Sequence, residues 1–273
     1  MGSLNQQSTQ RMANETMSNN NPFSLNGRRA MVTGGSKGIG SGIAEGMAKA
    51  GADVVLVGRS EDALAETAAS LNAYGVKIAI EPFDLSKTDE IESWYNGVVE
   101  RCGPCDILVN NAGTTKRTPA ADVPLDEWEM IIRLNLTAVF ALSQAFARER
   151  IAAGKPGKIV NIASLMTQSA RRGTAAYTAS KGGIGQLTKA LAVDWAEKGI
   201  LVNAIAPGYI ATPLTTPLVE DPEFNNWVLG RCPVGRWGTP GDLAGPAVFL
   251  ASPASDFMTG DTIFVDGGFI AAL

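Results

Sequence analysis

The sequence predicts one α/β domain: a single doubly wound sheet of seven parallel strands with helices on both faces. Three observations predict it. Short apolar runs alternate with longer amphipathic stretches along nearly the whole chain, the pattern of strands joined by crossover helices. The runs end in glycine, amide or other small residues. Neither an internal repeat nor a linker divides the 273 residues, a length that buries one sizeable core and is short for two full domains.

The first strand, Arg29–Gly34, is followed by a helical pattern from Ile39 to Lys49, and their junction reads T-G-G-S-K-G-I-G. Gly34, Gly38 and Gly40 permit a tight turn and a close approach of backbone to phosphate, with unpaired N–H groups supplied by the helix N-terminus. Ser36, Lys37 and Ile39 belong to the same turn. The spacing is not G-x-G-x-x-G, yet this is where a Rossmann-type sheet holds a dinucleotide.

The second strand, Asp53–Val57, runs into Gly58-Arg59. An acid at that strand end would bind a ribose 2′-hydroxyl and repel a 2′-phosphate. The acid is missing, and Arg59 with Lys37 places two cations there, which favours NADP(H) while leaving NAD(H) possible.

A helix over Glu61–Ala73 leads to the third strand, Lys77–Phe83, ending at Asp84-Leu85. The Asp84 carboxylate either accepts a hydrogen bond from an adenine amino group or caps the following turn. A helix over Lys87–Arg101 then precedes the strand Asp106–Val109, which ends Asn110-Asn111-Ala112-Gly113, small and amide residues where a ligand would lie.

Between those two elements stands Cys102-Gly103-Pro104-Cys105. A redox dithiol needs its first cysteine at a helix N-terminus, where the dipole lowers the thiol pKa. This pair follows a helix, so the dipole has the wrong sign and Gly-Pro reads as a helix stop. With Cys232 far away, the cysteines read as those of a reduced cytoplasmic protein.

Pro124–Ala153 predicts a long, bent amphipathic helix holding Asn135 among apolar neighbours. A buried amide needs a partner. Asn135 is either a satisfied core residue at the bend or the anchor of a water in a proton relay.

The strand Lys158–Ala163 delivers Ser164, and a helix over Thr174–Glu197 carries Tyr177 and Lys181. Four residues apart, these two lie one turn above the other on the same face. Tyrosine, with a pKa of about 10, is a poor base at neutral pH, and an ammonium within about 4–6 Å favours its phenolate. Ser164 would hydrogen-bond a substrate carbonyl or hydroxyl beside it.

The strand Leu201–Ile205 ends at Pro207-Gly208, after which residues 209–238, with four prolines, break the alternation and read as a substrate lid. A helix over Asp242–Ala251 and the strand Thr262–Val265, ending Asp266-Gly267-Gly268, close the chain. Right-handed crossovers bring Gly34, Arg59, Asp84, Gly113, Ser164 and Pro207 to one edge of the sheet.

Composition narrows the chemistry. The chain contains no histidine, which removes Ser-His-Asp and Cys-His nucleophile schemes and His-ligated metals, so no metal is expected. Protons must move through Tyr, Lys, Asp or Glu. A net charge of -4 without a basic stripe argues against a nucleic-acid partner. No apolar run of about 18 residues is evident, so no membrane span is expected. Residues 1–22, rich in Asn, Gln, Ser and Thr and lacking an apolar secretory segment, read as a disordered tail.

From about Phe23 onward the chain resembles the short-chain dehydrogenase/reductase family. The motifs that carry the likeness are T-G-G-S-K-G-I-G, N-N-A-G, the Asn135 helix, Ser164 with Tyr177-x-x-x-Lys181, A-P-G at 206–208 and V-D-G-G at 265–268. The resemblance implies a nicotinamide cofactor across the sheet edge, with Tyr177 as general acid/base and Ser164 orienting the substrate. It also implies that Lys181 lowers the Tyr177 pKa and holds the nicotinamide ribose, and that Asn135 anchors the relay water. Leu85, Asn111, Ala112, Pro207, Gly208, Ile210 and Thr212 fall to the cofactor site on the same ground, and a cytoplasmic homo-oligomer, commonly a tetramer, is implied.

Within the family the chain is similar to the gluconate 5-dehydrogenase and 2-deoxygluconate 3-dehydrogenase group, through F-S-L-N-G, A-P-G-Y-I-A-T, G-R-W-G and the basic pair Lys116-Arg117 after N-N-A-G. Carbohydrate metabolism and a sugar-acid substrate are thereby implied. Lys116, where that group often has arginine, is a departure. Cations at the pocket mouth suit a carboxylate, and Arg171-Arg172 are further candidates; either pair is otherwise solvated surface charge. The lid residues Trp227, Leu229 and Trp237 would equally line an apolar pocket. A 3-oxoacyl or general carbonyl reductase is therefore the alternative substrate class, and a non-catalytic dinucleotide sensor the alternative of another kind.

Overall fold

The computed structural model describes residues 21–272. One seven-stranded sheet has the order β3-β2-β1-β4-β5-β6-β7, with β1 Arg29–Thr33, β2 Asp53–Gly58, β3 Ile78–Pro82, β4 Ile107–Asn110, β5 Gly157–Ile162, β6 Ile200–Pro207 and β7 Thr262–Val265. Every pairing is parallel. The chain runs outward from β1 to β3 and returns to β4 on the other side of β1, so the switch point lies between β1 and β4, where ligands of such sheets bind.

Helices cover both faces, which is why the central strands are mainly apolar rather than alternating; β5 is buried at every position, Lys158 and Asn161 included. On one face α1 (Gly38–Lys49) and α2 (Glu61–Leu71) bring Ile43, Met47 and Leu64 against Val32, Leu56 and Val109. On the other, α3 (Ile91–Cys102) brings Tyr95 and Val98 against Met31, Val55 and Leu108. Each such side chain contributes about 1.5–3 kcal/mol through burial.

The long helix is interrupted where the sequence suggests a bend: α4 (Leu125–Ile132) and α5 (Ala138–Ala152) are joined by a π-helical turn, Arg133–Thr137, centred on Asn135. The expectation that no stretch could cross a membrane needs correction. Leu125–Ala152 is long and apolar enough, with a mean hydropathy of 1.5, but half of that window is buried in the fold. Its buried part, including Leu142, Ala145 and Phe146, packs on the sheet.

Element ends differ from expectation by a few residues. The helix expected to reach Ala73 stops at Leu71 and finishes in a 3-10 turn, Asn72–Tyr74, closed by Gly75 at φ 71°. Residues 209–238 are less irregular than their prolines suggest, containing α7 (Thr216–Val219) and α8 (Pro222–Arg231). The Asp221 side chain accepts from the amides of Glu223 and Phe224, and Pro222 follows it. This is a helix start, which a reading of proline as breaker misses. The remaining helices are α6 in the middle of the chain's second half (Ala175–Trp195, before α7) and α9 (Ala244–Ala251), which adds Leu250 to the first core face. The tail expected over 1–22 lies outside the described residues except for Asn21 and Pro22. These belong to the fold, since the Pro22 carbonyl accepts from Ala254 N at 3.0 Å.

Candidate active site

The glycine turn between β1 and α1 meets the requirements of a phosphate cradle. Gly34 and Gly38 have φ of 63° and 60°, and a Cβ at Gly40 would run into the Gly34 carbonyl oxygen. Lys37, at the N-cap of α1, makes no side-chain cap, and the first turn carries no acid. The helix N–H groups are thus left for an anion.

The amides after β4 are engaged differently from the sequence reading. Asn110 turns into the sheet and donates to Ser143 Oγ at 3.0 Å and Asn161 Oδ1 at 2.9 Å. Asn111 Nδ2 donates to the Thr33 carbonyl at 2.9 Å, and Thr33 Oγ1 accepts from Asn111 N and Ala112 N at 2.9 and 3.0 Å. Asn111 and Ala112 thereby tie the ends of β1 and β4 together, leaving Gly113 exposed beside the switch point. Thr33 was not singled out by the sequence; its only signal is a hydroxyl just before the glycines.

Along the same edge, Asp84 Oδ1 accepts from Ser86 N at 3.0 Å, the turn-capping alternative, and that bond foremost holds its carboxyl below the usual range. Leu85 behind it is buried. Lys37 and Arg59 are exposed. Across the turn, Thr212 stands 3.4 Å from where a Cβ on Gly38 would be. Gly208 N donates to Val265 O at 3.0 Å, and Ile210 is buried. The segment after Pro207 therefore folds back to the glycine turn at Gly38.

Ser164, Tyr177, Lys181 and Asn135 converge beside it. Ser164 follows the end of β5, where its Oγ accepts from Met166 N at 3.2 Å. Lys181 Nζ donates to the Ile162 carbonyl at 2.6 Å and lies 5.8 Å from the centre of the Tyr177 ring. Asn135, 1% exposed, accepts from Thr114 N at 2.8 Å and donates to Thr114 O at 2.9 Å and Ser180 Oγ at 3.1 Å. Both its amide hydrogens are engaged, so the side chain is a clamp on the loop after Gly113.

One expectation is corrected here. Tyr177 is held above its ordinary pKa, not below it: burial raises it, and the neighbouring Ser164 hydroxyl only opposes the rise. Burial also brings Lys181 down to about 8. The Lys181 ammonium bonds the Ile162 carbonyl rather than the phenol oxygen, so desolvation outweighs its charge.

The basic residues separate into two groups. Lys116 pairs with Glu127 at 3.5 Å. Arg117 and Arg171 instead lie over the Phe224 ring, 5.4 and 4.1 Å from its centre, and Arg171 is 5.6 Å from that of Trp227. Arg172 is exposed. Phe224 and Trp227, with Tyr209, Trp237 and Phe269, form an aromatic cluster on and beneath the lid. Trp227 is 45% exposed, Leu229 half-buried, and Trp237 Nε1 donates to Asn225 Oδ1 at 2.7 Å. A cavity of about 210 Å³ behind Tyr209 is lined by Val228, Cys232, Asp266 and Phe269, apart from Ser164 and Tyr177.

The cysteine pair carries no redox geometry. Cys102 is the last residue of α3 and its thiol donates to Glu81 at 3.5 Å; burial and Glu81 both raise its pKa. Cys105 is fully buried, its thiol pushed up to about 12. Cys102→Ser is expected to leave oxidoreductase turnover within about twofold, measured as initial rate. Its loss would reinstate a dithiol role.

A parallel sheet with a glycine phosphate turn at its switch point, and a Tyr-Lys pair on the same edge, defines a dinucleotide-dependent oxidoreductase of the doubly wound class. The profile of the family described as "Enoyl-(Acyl carrier protein) reductase" matches residues 34–270. The chain belongs to the short-chain dehydrogenase/reductase family. It is 44% identical over 257 residues to the gluconate 5-dehydrogenase of Gluconobacter oxydans (strain 621H), covering 94% of this chain and 100% of that protein. It is 45% identical over 249 residues to the 2-dehydro-3-deoxy-D-gluconate 5-dehydrogenase of Escherichia coli K12, covering 91% and 98%. Among solved structures, a gluconate 5-dehydrogenase from Burkholderia cenocepacia J2315, in complex with NADP and tartrate, superposes with a TM-score of 0.88 at 43% identity, covering 92% of this chain and 98% of that one.

Proposed function

We propose that this protein is an NADP(H)-dependent oxidoreductase that interconverts a secondary hydroxyl and a ketone on a sugar acid of the keto-gluconate kind. The observation that carries the reading is Tyr177 and Lys181, one turn apart on α6, converging with Ser164 beside the glycine turn. The relatives named for gluconate and deoxygluconate dehydrogenation, and the neighbour solved with NADP and tartrate, support the substrate class and the cofactor.

When bound, the nicotinamide supplies or takes the hydride. Tyr177 gives a proton to the ketone oxygen in reduction and removes it from the hydroxyl in oxidation, while Ser164 Oγ hydrogen-bonds the same oxygen. Lys181, fixed by the Ile162 carbonyl, keeps a cation beside the phenol and would hold the nicotinamide ribose. Asn135 holds the Thr114 loop in place. With both its amide hydrogens engaged, a relay water at this point is held by the main chain of the π turn, whose i to i+5 pattern frees a carbonyl.

The dinucleotide would be held by the turn Gly34–Gly40 through its backbone, by Leu85 and the second carboxylate oxygen of Asp84, whose Oδ1 caps the turn, at the adenine, and by Asn111, Ala112 and Gly113 with Pro207, Gly208, Ile210 and Thr212 along the edge. Lys37 and Arg59 would take the 2′-phosphate. Arg59→Asp is expected to lower the NADPH-to-NADH ratio of kcat/KM by about 10–100-fold, the value of a charge-assisted hydrogen bond lost and a repulsion gained. An unchanged ratio would place the phosphate elsewhere.

Residues 209–238 act as the lid, with Trp227 against the substrate, and the protein works as a cytoplasmic homotetramer with neither nucleic acid nor membrane as partner. Exposed Leu125, Trp128, Phe140 and Val193 on the long helices support assembly, and light scattering after size exclusion tests it. The reaction is tested by initial rates with NADPH and NADH across keto-sugar acids, 3-oxoacyl thioesters and simple ketones. Turnover confined to keto-sugar acids is expected. Preference for 3-oxoacyl thioesters would shift the reading to the carbonyl-reductase alternative, and cofactor binding without turnover would favour a sensor.

A further inference from the structure

We infer that Arg171 reads the substrate carboxylate and that the lid helix α8 holds it in place through Phe224, so that selection for acidic over neutral sugars resides in the lid. The inference rests on the sugar-acid reading above. Its starting point is a charge imbalance. Arg117 and Arg171 share the Phe224 ring at 5.4 and 4.1 Å; burial foremost, and then repulsion from Arg171, lowers the Arg117 pKa against the opposing charges of Tyr209 and Asp221.

Of the described arginines, Arg29, Arg101, Arg148, Arg150 and Arg236 have a carboxylate within 4.0 Å, whereas Arg28, Arg59, Arg133, Arg172 and Arg231 have none among the described residues, and none of the latter five shares an aromatic face with a second arginine. Among the described residues, Arg117 and Arg171 make no such pair. Aromatic faces hold a cation in place without neutralising it. Two convergent guanidiniums, Arg171 half-buried and Arg117 exposed, without a paired carboxylate though within the field of Asp221, make a receptor for an anion. Lys116 is unsuited to lead it, since Glu127 already balances its charge.

The place is right as well as the charge. Tyr209 meets Phe224 and Trp227 edge-on at 5.6 and 5.7 Å. On its other side Tyr209 packs in one cluster with Leu165 and Met166, the residues that follow Ser164. The anion site therefore adjoins the proton-transfer site across one aromatic ring. A planar guanidinium grips a carboxylate through two parallel hydrogen bonds, a geometry lysine lacks. Phe224 is a positioning residue: it is buried, and Asp221 anchors it by capping α8 at its amide.

The test compares 5-keto-D-gluconate with D-fructose, a neutral ketose of equal length, as substrates for the full-length protein with NADPH. Arg171→Ala is expected to lower kcat/KM for the acid by about 10–100-fold, through KM, and to leave the ketose unchanged. Phe224→Leu, which keeps apolar volume but removes the aromatic face, should raise KM for the acid by about 2–10-fold, and Phe224→Tyr should restore it. In parallel, tryptophan fluorescence titrated with D-gluconate and with D-sorbitol reads binding without turnover: Arg171→Ala should weaken the first alone. Equal losses on acid and neutral ligands, or none on the acid, would overturn the inference. Failure of the sugar-acid reading is seen separately, in the unmodified protein, as no preference for acid over ketose; the inference then falls with it.

Discussion

Replacing Tyr177 by Phe is expected to reduce turnover by about 10²–10⁴-fold in either direction while leaving dinucleotide affinity within about threefold. The substitution removes one oxygen and keeps the ring, so the packing beside Lys181 is unchanged and the loss reports the proton alone. Because burial raises the Tyr177 pKa, the phenol stays protonated through neutral pH. Ketone reduction, which needs that proton, should hold level there and decline only on the alkaline side. Alcohol oxidation needs the phenolate and should rise with pH. Lys181, brought down to about 8, loses its charge in the same alkaline range, so Lys181→Met should change the shape of both profiles. Single-turnover rates from pH 6 to 10, with cofactor affinity by fluorescence, check all of this. Comparable turnover in the Phe variant, or profiles of the same sign in both directions, would remove Tyr177 from the reaction.

How much of this could be read from sequence depends on what kind of signal each residue leaves. The seven strands were legible because a strand covered on both faces is mostly apolar; β5 is buried at every position, with Lys158 and Asn161 as its polar exceptions. The edge residues were legible because parallel crossovers leave only one edge for strand ends. Local sequence could not show which force wins at Tyr177. The four-residue spacing announces the Lys181 charge, but desolvation depends on the helices and lid that close around the pair. The same holds for Lys116 and Arg117, adjacent in sequence yet parted in the fold: one meets Glu127 on α4 and the other the face of Phe224 on α8. Phe224 and Tyr209 were missed as partners of Arg171 because contacts across about 50 residues of chain leave no periodicity. The helix α8 went unread, although Asp221-Pro222, a cap followed by a preorganised first residue, marks its start.

Gly40→Ala is expected to weaken dinucleotide binding by at least about 100-fold, or about 2.7 kcal/mol, and to lower stability by about 1–3 kcal/mol. The added methyl would overlap the Gly34 carbonyl and stand 2.6 Å from Asn111 Nδ2. Both neighbours are fixed: Gly34 is backbone, and Asn111 donates to Thr33 O at the end of β1. The strain can be relieved only by opening the turn, which moves the N–H groups meant for the phosphates and loosens the β1–β4 clamp together. Gly230→Ala is the matched control. It sits in α8, where a Cβ meets nothing within 4 Å, so helix propensity should make it neutral or stabilising by up to about 1 kcal/mol. At about 2–4 °C per kcal/mol for a domain of this size, thermal unfolding separates the two variants, and NADPH titration reads the binding loss. Tight NADPH binding by a folded Gly40→Ala protein would mean that the phosphates do not rest on this turn, and the assignment of Lys37 and Arg59 to the 2′-phosphate would fail with it.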